Sequence, residues 1–264
     1  MTRSRKLAKY MRSGDDIMTR DDEPRLEEEV LSTAAEIGVI SQVDKVEDVN
    51  IDVKTNLLNI VQGQADSVSF AGQGLAIQKD IRVQEVQVQT GRIAINPLSA
   101  IFGEIKLTHP TDASIRVVLT EEDINRSLNS DYIRSKLPPL DLDVDGKIVT
   151  LELQHMEINL PGDGKIKCSG NVLLHEGNTR QLDFIALLYP RTSSQPLLLE
   201  AFHCTPGNGI GLELIVALML KFKELVNLPY YELEGSAFRV KDMDVQKGTL
   251  TVMAEAYIRQ IPSM

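Results

Sequence analysis

Residues 81–107, IRVQEVQVQTGRIAINPLSAIFGEIKL, constrain the fold more than any other stretch, because aliphatic and polar residues alternate along most of it. Such alternation places aliphatic side chains on one face of a β-sheet and polar side chains on the other. The apolar signal slips from odd to even positions at Glu85, which predicts a β-bulge and a bent strand. The apolar face therefore needs a cover, and its members are Ile81, Val83, Val86, Val88, Ile93, Ile95, Ile105 and Leu107.

Residues 211–228, GLELIVALMLKFKELVNL, predict one long helix. Its first three turns have almost no polar side, whereas a helix on a protein surface shows a polar stripe. We therefore expect this helix to be covered nearly all round. Together with the alternating strands, it predicts an α+β fold in which a long, highly curved antiparallel sheet wraps around a long apolar helix.

The remaining segments complete a single-domain prediction. Residues 1–22 are expected to form a flexible leader, and residues 23–262 one α+β domain. A helix is predicted from about Pro24 to Gly38. A second is predicted over residues 120–136, because Thr120 and Asp123 resemble a capping box at its start.

Charge and composition limit the partners. The 264-residue chain has a net charge of −10 and no Trp, which argues against a nucleic-acid partner. Its first twelve residues nevertheless contain five cations and no acid. This basic arm would suit docking on an anionic membrane surface, although a disordered, solubilising terminus is the simpler interpretation. The five cations are Arg3, Arg5, Lys6, Lys9 and Arg12.

No targeting segment is expected. The basic start lacks the apolar core of a signal peptide. The longest apolar run, Leu214 to Leu220, has seven residues, whereas a membrane-spanning helix needs about 20. Only two cysteines, Cys168 and Cys204, are present, too few for a disulfide framework. We expect a cytoplasmic protein, with peripheral association with a membrane as an added option.

Two motifs resemble ligand sites. Residues 141–152, DLDVDGKIVTLE, match the EF-hand calcium-loop pattern, but their flanks alternate like strands, and Asp145-Gly146 favours a β-hairpin. The glycines of residues 207–211, GNGIG, resemble the start of a dinucleotide fingerprint. The third glycine is missing, since position 212 is Leu, so a flexible connection into the helix is favoured.

No catalytic, cofactor or metal site is predicted. The four histidines have no metal-ligand spacing, and none pairs obviously with a nucleophile. No motif supports an enzyme, so a non-enzymatic role is favoured over an unidentified hydrolase. The aliphatic faces could instead enclose an open groove or fill one another in a dense core.

Four stretches carry a resemblance to a known family. Over about residues 24–260 the chain resembles the LmeA-like phospholipid-binding family, formerly a domain of unknown function. The general character of its sequence resembles that of the cyanobacterial members. The stretches are VEDVNIDVKTNLLNIVQGQADSVSFAGQGL with its preceding helix, IRVQEVQVQTGRIAINPLSAIFGEIKL, IRVVLTEEDINRSL and VKDMDVQKGTLTVMAEA. The mycobacterial members are exported, whereas no export signal is expected in this chain.

The resemblance implies a half-barrel similar to the tubular lipid-binding (TULIP) superfamily. Lipid tails would then lie between the sheet and the 211–228 helix, and the protein would bind, transfer or present phospholipid or another acyl lipid. The alternative is a membrane-peripheral scaffold or assembly protein with a filled core and no lipid cargo. The sequence leaves the oligomeric state open. The candidate lining residues are Ile81, Val83, Val86, Val88, Ile93, Ile95, Ile215, Leu218 and Phe222.

Overall fold

The computed structural model describes most of the chain between residues 28 and 259. The described residues are 28, 29, 32, 33, 35, 36, 44–78, 80–96, 107–205, 211–233 and 235–259. The basic arm, Ile105 and most of the GNGIG motif lie outside them.

Two antiparallel sheets make up most of the described structure. The first has seven strands in the order β1-β3-β4-β6-β14-β13-β12. Its strands are β1 (Asp48–Lys54), β3 (Ser67–Gln78), β4 (Ile81–Thr90), β6 (Thr111–Thr120), β12 (Tyr231–Leu233), β13 (Ser236–Gln246) and β14 (Thr249–Ile258). Two short strands, β2 (Gln64–Ala65) and β5 (Ile93–Ala94), form a separate antiparallel pair. In the sequence β2 lies between β1 and β3, and β5 lies between β4 and β6.

The second sheet has five strands in the order β11-β10-β9-β8-β7. These strands are β7 (Leu140–Val144), β8 (Lys147–Gly162), β9 (Lys165–Glu176), β10 (Asn178–Tyr189) and β11 (Leu198–Thr205). Among the described residues the helices are few: the helical residues between 28 and 36, and α1 (Leu57–Val61), α2 (Glu121–Leu128), α3 (Asp131–Lys136) and α4 (Leu212–Val226). The predicted α+β class and the strongly curled, half-barrel antiparallel sheet are confirmed.

The five-stranded sheet curls so that both of its edge strands reach one helix. Helix α4 contacts β7 and β11, which lie at opposite edges of this sheet. Leu214 of α4 is 4% exposed in a core to which all five strands contribute. The buried members of this first core are Leu142, Val149, Leu151, Val172, Leu174, Leu182, Cys204 and Leu214.

The prediction that the 211–228 helix is covered nearly all round is wrong. Leu214 faces the first core, but Leu212, Val216 and Leu220 are 70%, 46% and 63% exposed. These three positions are four residues apart and share one face of the helix. Helix α4 therefore has one buried side and one exposed apolar side.

A second core joins the two sheets. Its buried members come from β8, β9 and β10 on one side and from β13 and β14 on the other. Backbone hydrogen bonds reinforce this contact: Gly248 N donates to Leu160 O, and Met243 N donates to Arg191 O. The buried members are Leu160, Ile166, Cys168, Ala186, Leu188, Val245 and Leu250.

The predicted β-bulge at Glu85 is wrong. Strand β4 pairs with β3 on both sides of Glu85 without a register shift there, and Glu85 lies opposite Gln73. Its pairing with β6 begins at Glu85, opposite Val118, and is also regular. The irregularity of the β3–β4 pair lies between Ala76 and Gln78, on the partner strand. Gly74 in β3 also has a positive φ of 60°, a conformation that glycine adopts without strain.

The helix predicted over residues 120–136 is two helices. Thr120 accepts from Asp123 N at the start of α2, as the capping prediction required. Ser130 then begins α3, because its side chain accepts from Ile133 N. The helix predicted from Pro24 to Gly38 is confirmed for its described residues 28, 29, 32, 33, 35 and 36, all of which are helical.

Candidate functional site

An apolar groove of about 340 Å³ lies between α4 and the start of β11. Eight of its nine lining residues are apolar. Phe222 both lines the groove and packs against the second core, so it connects the groove to the interior of the protein. The lining residues are Leu197, Leu198, Leu199, Val216, Met219, Leu220, Phe222, Lys223 and Val226.

Polar groups close the end of this groove that lies near the C-terminus of α4. Asn227 accepts from Leu197 N and Arg191 Nη2, at 3.1 and 3.0 Å, and donates to Leu197 O at 3.1 Å. These bonds hold the start of β11 against the helix, so they fix the groove's width. Tyr231 donates to Leu225 O, and burial raises the pKa of this tyrosine although nearby Arg191 opposes the shift.

Lys223 is the single charged residue in the groove lining. Its position lets an apolar chain lie along the groove while a negatively charged group stays beside the ammonium at the rim. A lysine stem packs along apolar surface and keeps its charge in water. The groove can therefore accommodate an amphiphile that has an apolar tail and an anionic group.

A larger cavity of about 560 Å³ lies on the seven-stranded sheet. Most of its exposed lining is apolar, but it also contains two amides and three charged groups, those of Gln87, Gln89, Arg116, Lys241 and Glu255. An acyl chain there would cover the amides and the ion pairs of Arg116 and Lys241, and removing water from these polar groups is unfavourable. The groove beside α4 is thus better suited to an apolar ligand, even though it is smaller.

The three predicted lining residues on α4 separate. Ile215 and Leu218 pack against the first core, whereas Phe222 lines the groove. Sequence reasoning missed Val216, Met219 and Leu220 because an all-apolar helix does not indicate which side faces protein. It also missed residues 197–199, although their LLL run beside a proline marks an apolar strand start.

The predicted lining residues near β4 lie on the other sheet. Val86 pairs with Gly72 and Val117, and Val88 pairs with Phe70 and Ile115, so both lie on one face. Ile81 and Val83 lie on the opposite face, because β4 alternates without an inserted residue.

Ile93 belongs to β5, and Ile95 forms an isolated bridge with Leu107. Val86 and Val88 are half-buried, and Val88 also lines the larger cavity. The lipid-lining role of these sheet residues stays a prediction.

The EF-hand-like motif forms a hairpin, as predicted. Asp145 and Gly146 have φ values of 51° and 80° between β7 and β8. Asp143 accepts from Gly146 N, and Asp141 accepts from Thr150, so both carboxylates serve the hairpin. Across the part of the chain that the structure describes, no group of three His, Cys, Asp or Glu residues could hold a metal ion.

One histidine has a carboxylate partner. His175 lies 3.2 Å from Glu152 and 3.2 Å from Thr179. Hydrogen bonds from Gln154 and from His175 lower the pKa of Glu152. His175 and Glu152 are exposed side chains of β9 and β8, and neither lines the groove.

No helix within the described ranges has the length and apolar composition needed to cross a membrane. No curated protein and no solved structure matches the chain. The family model described as LmeA-like phospholipid-binding matches residues 24–255, which is most of the sequence and includes both sheets and α4. The chain belongs to the LmeA-like phospholipid-binding family.

Proposed function

We propose that this protein holds the acyl chain of a phospholipid in the groove between α4 and the start of β11, and that it carries or presents that lipid. The supporting observation is the groove's lining of eight apolar side chains and one lysine at the rim. The proposed role is non-enzymatic. The match to a phospholipid-binding family supports a lipid as the ligand, and we assign that lipid to the groove.

The energetics require such a groove. Each acyl CH₂ exposed to water costs about 0.8 kcal/mol, so a free chain costs on the order of 10 kcal/mol. Ligand pockets occupy about 300–1,000 Å³, and the groove lies near the lower end of that range. It therefore suits one acyl chain better than a whole two-chain lipid.

The proposal is tested by filling the groove. Met219 lines it, so Met219→Trp should occupy the volume that the acyl chain would take. Met253→Trp is the matched control, because Met253 lines the larger cavity of the seven-stranded sheet. Each variant would be mixed with a fluorescent phospholipid, and organic extracts of gently purified protein would be analysed by mass spectrometry.

We expect the wild type to retain about ten times as much lipid per protein as Met219→Trp. Met253→Trp should retain as much lipid as the wild type. Loss of lipid in Met253→Trp alone would place the lipid on the seven-stranded sheet. Absence of lipid from the wild-type extract, together with no uptake of the fluorescent phospholipid, would favour the scaffold alternative with a filled core.

A further inference from the structure

The exposed apolar side of α4 extends beyond the lipid site proposed above. Leu212, Val216 and Leu220 form this side, which we name the outer stripe. At 1.5 Å per residue the stripe spans roughly 12 Å, or about two helical turns. Contiguous exposed apolar side chains indicate an interaction surface, whereas apolar residues scattered singly over a surface do not.

The outer stripe and the groove share two residues. Val216 and Leu220 are exposed on α4 and also line the groove, so the stripe is continuous with one wall of the groove. A chain leaving a bilayer at the stripe would enter the groove without crossing water. Docking at any distant surface would expose each CH₂ group during transfer.

Charge at the stripe also fits a membrane surface. The chain has a net charge of −10, which disfavours contact with anionic headgroups. Helix α4 is locally neutral, because its Lys221 and Lys223 balance Glu213 and Glu224. Lys221 pairs with Glu224, which lies one turn beyond Leu220, at 3.1 Å, so this carboxylate does not face the headgroups uncompensated. Lys223 then supplies a cation at the same end of the stripe, as in an interfacial helix that has apolar residues in the acyl region and a cation near the headgroups.

We infer that the outer stripe of α4 docks the protein on a phospholipid bilayer, with the groove opening towards the membrane. This inference rests on the proposed lipid site. A second copy of the chain is a poorer occupant, because a stable protein interface buries about 1,200–2,000 Å², far more than three side chains supply. A dimer through the stripe would also cover the wall through which lipid enters.

Leu212 provides the cleanest test, since it belongs to the stripe but not to the groove lining. Leu212→Glu places a carboxylate at the first residue of α4, where the helix dipole tolerates it. Leu58→Glu in α1 is the matched control, because Leu58 is 75% exposed and the substitution is identical. Leu212→Ser repeats the test without adding charge.

Three measurements would be made on the full chain: flotation with mixed phosphatidylcholine–phosphatidylglycerol vesicles, uptake of monomeric fluorescent lysophosphatidylcholine without vesicles, and molar mass by light scattering. We expect Leu212→Glu to bind vesicles about tenfold more weakly and Leu212→Ser less severely so. Both variants should keep lysolipid uptake, and Leu58→Glu should match the wild type in all three measurements.

Vesicle binding of Leu212→Glu at the wild-type level would overturn the inference, as would an equal loss in Leu58→Glu. A wild-type dimer that Leu212→Glu converts to a monomer would assign the stripe to self-association and overturn it too. Failure of the wild type to take up lysolipid while it still binds vesicles through Leu212 would reject the groove as the lipid site and keep the docking surface.

Discussion

Asp123 is 2% exposed and is enclosed by partners from three elements, β4, β6 and α2. Arg82 Nη1 and Arg126 Nη1 donate to it at 3.2 and 3.0 Å, and Thr120 Oγ1 donates at 2.7 Å. This carboxylate therefore links the start of α2 to strand β4. Removing its charge leaves two partly buried guanidinium groups without the anion that they share, although each keeps a second, more exposed carboxylate partner.

We expect Asp123→Asn to lower the free energy of unfolding by about 2 kcal/mol, because hydrogen bonds to charged groups contribute about 1.5–3 kcal/mol each and the asparagine keeps part of them. Urea unfolding followed by circular dichroism would measure it. Glu122→Gln is the matched control, since Glu122 also pairs with Arg126 but is largely exposed. Equal effects of the two substitutions would contradict a special role for the buried group.

Cys168 supplies a pH-dependent prediction. It is buried in the second core, and burial raises the pKa of its thiol to about 11 from an ordinary value of 9.0. Above pH 9 the unfolded chain releases this proton while the folded chain retains it, so stability falls as pH rises towards 11. Each pH unit within that window costs about 1.4 kcal/mol.

The test compares urea unfolding of the wild type and Cys168→Ala between pH 8 and about pH 10. Lysines and tyrosines titrate in both proteins, so only the difference between their slopes reports Cys168. The wild type should lose more stability than Cys168→Ala over this interval. Parallel slopes would show that the thiol is not shielded in solution.

The sequence indicated only part of these residue-scale interactions. Thr120 and Asp123 are three residues apart, and local spacing predicted their capping contact. Arg82 is 41 residues from Asp123, and nothing in a local pattern identifies a partner at that separation. The same limit applies to Asn227, whose contact with Leu197 spans 30 residues and shapes the groove.

At the scale of elements, helix side chains pair with free strand edges in two places. Glu121, Asn125 and Asn129, four residues apart on and after α2, hydrogen-bond the backbone of β8 at Leu160, Ile158 and Met156. Four helical residues rise about 6 Å, and two strand residues rise about 6.8 Å, so the two periods nearly match.

The same arrangement occurs at the edge strand β1. Glu36, Ser32 and Glu28 accept from the backbone N–H groups of Ile51, Val53 and Thr55. An exposed edge of this kind is otherwise a template for pairing with another chain. In both sheets, side chains of the helical residues that precede the sheet therefore hydrogen-bond the backbone groups of a strand edge where no further strand pairs.

We predict that Asn125→Ala destabilises the protein by about 2–3 kcal/mol, because it removes two 2.7 Å hydrogen bonds and leaves both backbone groups of Ile158 unsatisfied. Asn125→Asp should cost less, since it keeps the acceptor for Ile158 N–H. Hydrogen exchange at Ile158 would localise the effect, with faster exchange in Asn125→Ala than in Asn125→Asp. Unchanged protection in Asn125→Ala would show that the edge is held by other contacts.

The elements themselves were predicted better than their surroundings. Alternation over residues 166–174, 182–188 and 250–258 predicted three strands of the two sheets, because period two depends only on local sequence. The bulge at Glu85 was wrong because Ile81 and Val83 are apolar on one face of a regular strand while Val86 and Val88 are apolar on the other. An apolar pattern alone does not distinguish a kinked strand from a strand with two covered faces.

On the scale of the whole molecule, the curled sheet and the one-sided helix produce a groove without any specialised residue. The first core fixes Leu214 on the inner side of α4, and the contacts of Asn227 hold β11 alongside the helix. The space between α4 and β11 is apolar because residues 197–199 and the facing side chains of α4 are almost all apolar. The sequence predicted that aliphatic surface was in excess, but the location of the uncovered part depends on which helix side the sheet contacts.

A ligand that fills this groove should stabilise the whole fold, because binding to the folded state alone adds RT ln(1 + [L]/Kd) to the free energy of unfolding. At a free lysophospholipid concentration of about 100 Kd, this amounts to about 2.7 kcal/mol. For a domain of this size that corresponds to a rise of roughly 5–10 °C in Tm, measurable by calorimetry. Met253→Trp should show the same rise as the wild type, whereas Met219→Trp should show little, since its groove is filled already. A rise of equal size in all three proteins would place the stabilising lipid outside the groove, and no rise in the wild type would mean that the folded protein does not bind it there.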